Sequence, residues 1–192
     1  DRGSSRVERV SASRVRQAGR VTTASVVLCP PLPGAPVVVD VADVADSLLD
    51  DPRLAGVGVM SPHVPDAAPE DDERTATAHW VAHLAIGLAT GGAVAPVLLV
   101  LAGSAGALAP ALGFSQKASR RAVSGYVLVD AAVPPAESRG GDWPDAPVVF
   151  VASPAADPLE TNQARLRGWH IVEVPDAWPG TVADAIARIV TD

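Results

Sequence analysis

Val97, Leu98, Leu99, Val100 and Leu101 follow one another without polar alternation, and the small residues Ala102-Gly103-Ser104-Ala105-Gly106 come directly after them. An apolar run with no wet side suits a strand buried on both faces, as in a parallel sheet. The stretch from Ala107 to Leu112 then reads as an apolar helix start. Buried strand, tight turn and helix in immediate succession form the unit from which parallel sheets are built, because parallel neighbours need a crossover.

The rest of the chain repeats that unit. Buried or half-buried strand runs occur at 25–29, 56–60, 125–130, 146–151 and 169–174. Between them, helical spacing predicts helices over 37–49, 74–89, 159–167 and 181–190, and one from the central turn to Arg121. The first has its apolar positions at Val37, Val41, Val44, Ala45 and Leu48; the last has them at Val182, Ala185, Ile186 and Ile189. Strands alternating with helices predict an α/β fold, a mainly parallel sheet of about six strands with helices on both faces. With 192 residues, 48% of them hydrophobic, the chain is long enough for one substantial core. We expect a single domain over 25–192. Residues 1–24, with six arginines, read as an N-terminal arm or edge strands.

Charge and composition narrow the partners. A net charge of −7, with no basic cluster beyond the N-terminal stretch, argues against nucleic acid. A small molecule or a protein is the expected partner, and a homodimer is left open. Cys29 is the only cysteine, which excludes an internal disulfide and a cysteine metal cage and fits the cytoplasm. No apolar stretch reaches the roughly 18–20 residues that span a bilayer. The start, Asp1-Arg2-Gly3-Ser4-Ser5, lacks the apolar centre of a signal peptide. His79 and His83 stand four apart on one helix, but without the H-E-x-x-H glutamate they read as surface or packing residues, so neither metal nor cofactor is expected. Abundant Ala, Val, Pro and Arg beside one lysine, Lys117, suggests a GC-rich, actinobacterial genome.

Ala102-Gly103-Ser104-Ala105-Gly106 reproduces the nucleophile-elbow motif G-x-S-x-G with Ala in the first place. With the strand before it and the helix after it, residues 25–190 resemble the α/β-hydrolase superfamily. Two registers are open. Sterics favour Ser104 at the apex, since Leu101 would otherwise crowd the position two residues before it. An ungapped overlay from Pro96, which also fits Gly106 and Pro110, places Gly103 there instead.

The resemblance assigns the remaining roles. Residues 30–36 stand at the oxyanion loop. Pro30, Pro31 and Pro33 carry no N–H, which leaves Leu32, Gly34 and Ala35 as donors there, with Ala105 N–H as the second donor. Asp157 matches the usual acid position and Asp130 the alternative one; on the residues alone, each reads equally well as a cap or turn carboxylate. No histidine occurs in 174–180, where the superfamily places its base, and Trp178 follows the last strand by a similar interval. Trp178 is therefore expected as an apolar wall of the pocket. His170 begins a strand, which leaves His63, just past a strand's carboxyl end, as the expected substitute base of a divergent dyad or as a contact to a substrate carbonyl. The lid stretch 134–144 is very short and contains Gly140-Gly141 and the substrate-contact candidate Trp143.

Two functions follow as expectations. One is a divergent hydrolase-fold enzyme of acyl chemistry in specialised metabolism: an ester or thioester hydrolase, or an acyltransferase, for a small, carrier-bound or peptide-bound acyl substrate. The other is a fold that has lost hydrolysis and binds a ligand or partner, or shapes a reactive intermediate without a covalent bond.

Overall fold

The apolar runs pair with one another as parallel strands. The computed structural model describes residues 22–191, except 66–67, 69–71 and 137–142. Most of the expected arm (1–21) and the middle of the short lid stretch lie outside the described residues. The strands are β1 (Ser25–Leu28), β2 (Gly58–Met60), β3 (Val97–Ala102), β4 (Val123–Val129), β5 (Val148–Ala152) and β6 (His170–Glu173). They form one sheet of order β2-β1-β3-β4-β5-β6, parallel throughout. β3 lies at its middle, so its carboxyl end opens beside the strand where the order reverses, the place where open α/β sheets bind ligands.

Period-two alternation sends each strand's side chains to two cores. On one face Val27, Leu99, Leu101, Tyr126, Leu128 and Phe150 meet Trp80, Leu84 and Leu88 of α2 (Glu73–Thr90), Leu112 of α3 (Ala109–Ala118) and Ala164 of α4 (Pro158–Leu166). On the other, Val26, Leu28, Val100, Val127 and Val151 meet Val44 and Leu48 of α1 (Val41–Leu49) and Val182 and Ile186 of α5 (Pro179–Thr191). A side chain fully buried in this way contributes about 1.5–3 kcal/mol, so the sheet is held chiefly by these two layers.

Helix ends depart from the apolar spacing where a cap intervenes. α1 begins at Val41 instead of position 37 because the Asp40 carboxylate accepts from Ala42 N (2.9 Å) and, more weakly, Asp43 N (3.4 Å). α3 stops at Ala118, three residues before Arg121, and Arg120 takes φ +55°, which ends the helix. The crossover from β4 to β5 carries no helix among the described residues.

Candidate functional site

β3 delivers the chain to the carboxyl edge, where residues Gly103–Leu108 form a 3-10 helix that runs into α3, with Pro110 in the first turn. Gly103 makes the turn with φ +55°, and no other residue of the cluster has a positive φ. The apex is thus Gly103, the position that spacing favoured, and Ser104 is the next residue along the helix. The steric argument for Ser104 fails because Leu101 points wholly into the α2/α3 core and leaves the turn free. A Cβ built on Gly103 would stand 2.8 Å from Val38 Cγ2, so the volume of an apical side chain is filled by Val38. Gly103 O accepts from Ala132 N at 2.9 Å. At Gly106 a Cβ would lie 2.5 Å from Ala132 O, which explains the small residue there.

Ser104 is exposed, and its hydroxyl has no hydrogen-bond partner among the described residues. His63 is exposed and equally without one. Its neighbours decide this. Pro62 is buried in the space that Gly87 of α2 leaves, where a Cβ would meet Pro62 Cβ at 2.9 Å, and Val64 packs on the α2 core, so His63 between them turns outward. The hydrogen bond that a Ser104–His63 dyad requires is absent.

The two carboxylate candidates are both engaged elsewhere. Asp157 caps α4, accepting from Leu159 N at 2.8 Å. Asp130 sits at φ +42° beyond β4, and its oxygens accept from Ser153 N (2.7 Å) and Ser153 Oγ (2.5 Å) at the end of β5. Of the oxyanion-loop donors, Ala35 N is bound to Leu32 O (3.0 Å) within the loop, and Leu32 packs on the α2-side core. Ala105 is buried in the 3-10 helix.

Trp143 lies elsewhere. It precedes β5 at the sheet's amino-terminal edge, edge-to-face with Tyr126 (5.5 Å between centroids) and Trp169 (5.7 Å). The crossover must return to that edge to start another parallel strand, and it carries Trp143 with it. Trp178, by contrast, lies in the β6–α5 loop at the carboxyl edge, 73% exposed. Its backbone N–H donates to Asp176 Oδ1 and its carbonyl accepts from Val182 N. With Val37, Val38, Asp40, Asp43 and Asp46 it lines an open groove of about 600 Å³. Val38 is common to this groove and to the elbow.

Cys29, at the end of β1, is fully buried, and burial raises its thiol from 9.0 to about 12. It is no nucleophile near neutrality. His79 and His83 are both exposed on α2, and no group of three or more His, Cys, Asp or Glu able to hold a metal occurs among the described residues. No helix among them is long and apolar enough to cross a membrane. Sequence reading missed Val38 and Ser153, whose partners lie 65 and 23 residues away; nothing local marks either pairing.

No protein-family model and no curated protein matches the chain. Solved structures do. The Vlm2 thioesterase domain is 14% identical with a TM-score of 0.54, over 86% of this chain and 91% of that one. A hyperthermophilic esterase from the archaeon Pyrobaculum calidifontis is 17% identical with a TM-score of 0.55, over 90% and 75%. A putative hydrolase of the alpha/beta superfamily from Xanthomonas campestris is 15% identical with a TM-score of 0.52, over 89% and 96%. Together with the six-stranded parallel sheet, these likenesses show an α/β-hydrolase-like fold.

Proposed function

We propose that this α/β-hydrolase-like chain performs no covalent nucleophilic catalysis at its elbow and binds a ligand non-covalently at the carboxyl edge of the sheet. The observation that carries this is Gly103 at the apex with Val38 in the place of the missing side chain. A covalent mechanism needs a hydroxyl there, a base to take its proton, and an acid to orient the base. The hydroxyl is replaced by hydrogen, the loop after β6 holds Trp178 and no histidine, and Asp130 is bound to Ser153. The same edge offers the groove beside Trp178, within the size range of small-ligand sites.

The rival reading is acyl transfer or hydrolysis, for ester, thioester or carrier-bound substrates, through Ser104. It draws on Ser104 being exposed one residue past the apex, and on the esterase and thioesterase structures that share the fold. Fold alone does not carry activity. Turnover of a short-chain aryl ester and an acyl thioester separates the two readings. We expect rates at the buffer background, unchanged by Ser104→Ala. A rate well above background that Ser104→Ala abolishes would overturn the proposal.

A further inference from the structure

We infer that the groove between α1 and the β6–α5 loop takes an organic cation with an apolar body, a quaternary or protonated amine. The inference rests on reading this edge as a non-covalent binding site and names the class of its ligand. The apolar contribution is two bare side chains in one concavity: Trp178 is 73% and Val37 64% exposed there. An indole left bare at a groove offers its π face, and indole is the best side-chain partner for a cation.

Charge then selects among apolar ligands. Asp40, Asp43 and Asp46 line the groove, and no basic residue does. The amino-terminal ends of α1 and α5 also meet there and would favour an anion. Each helix end is equivalent to about half a positive charge, so two ends offset roughly one of the three carboxylates and the groove stays negative. Asp40 is already occupied as the α1 cap, but Asp43 and Asp46 have no ion-pair partner among the described residues. These two carboxylates are free to face a ligand's positive centre while its apolar part covers Val37 and Trp178.

The test is titration of the intact chain with three probes that share a benzyl group: benzyltrimethylammonium, benzyl alcohol and phenylacetate. The readout is the indole N–H resonance of Trp178, identified by its loss in Trp178→Phe. We expect the cation to shift it with an affinity at least about tenfold tighter than the alcohol's, and phenylacetate to leave it unmoved. Added salt should weaken the cation and not the alcohol. In Asp43→Asn/Asp46→Asn, both exposed positions, the cation should lose about tenfold and the alcohol nothing. Alcohol or phenylacetate binding as tightly as the cation would overturn the cation assignment and leave the binding reading intact. No shift with any probe would overturn the site itself. Failure of the underlying reading shows separately, as Ser104-dependent turnover.

Discussion

Val38 Cγ2 stands 2.8 Å from where a Cβ on Gly103 would be, so one methyl group of the loop after β1 fills the position from which an elbow nucleophile would project. This contact joins the two halves of the site. It caps the turn at the end of β3, and through the rest of Val38 it forms part of the groove that reaches Trp178.

Putting a side chain back at the apex should be costly. Gly103→Ser places a Cβ at φ +55°, which costs about 1–2 kcal/mol, and pushes on Val38, which adds about 1–3 kcal/mol of overpacking. Urea unfolding should show a loss of about 2–5 kcal/mol. Val38→Ala in the same background should recover about 1 kcal/mol or more relative to Gly103→Ser alone, while Val38→Ala by itself destabilises. Equal costs with and without Val38 would show that this contact does not fill the apex.

Asp130 should prove to be a clamp between β4 and β5. Its carboxylate accepts both the N–H and the hydroxyl of Ser153 while its backbone sits at φ +42°. Asn tolerates that backbone and can still accept the N–H, so Asp130→Asn should cost about 1 kcal/mol, and Asp130→Ala about 2–3 kcal/mol. Ser153→Ala should cost about 1–2 kcal/mol. Chemical denaturation of the three variants gives the ranking, and Asn costing as much as Ala would contradict it.

Alkaline pH should expose the burial of Cys29. Its folded pKa, about 12, lies above the ordinary 9.0, so above pH 9 the unfolded chain releases a proton that the folded chain keeps. The unfolded state then binds fewer protons, and the sign of the linkage is that stability falls as pH rises. The loss begins near pH 9 and reaches at most about 4 kcal/mol by pH 12. Tyr126, raised first by burial and then by its bond to the Asp145 carboxylate, acts in the same direction. Cys29→Ala should be less stable at neutral pH yet lose less between pH 9 and pH 11. Parallel pH profiles for the two proteins would rule out Cys29 as the cause.

The architecture was readable because it rests on local patterns. The unpunctuated run at the centre of the chain suited a strand covered on both sides, and the turn-helix after it placed the elbow to within a residue. That last residue was not readable. The two registers differ by one position, and what separates them is the sign of φ at Gly103 and the approach of Val38, 65 residues earlier. The fates of Asp157 and His63 were likewise undecided in sequence. A carboxylate before a helix is a cap or an acid according to where the helix N–H groups point. A histidine between Pro62 and Val64 faces in or out according to which neighbours the core takes. Trp143 was misplaced for a topological reason: the stretch that ends at β5 must return to the far edge of the sheet.

The central claim is that the elbow carries no nucleophile, and covalent labelling tests it most directly. The purified chain is incubated at length with a fluorophosphonate, its intact mass is measured, and any adduct is mapped by peptide. An unmodified mass is expected under conditions that fully label a serine esterase. A stoichiometric adduct on Ser104, abolished by Ser104→Ala, would contradict it.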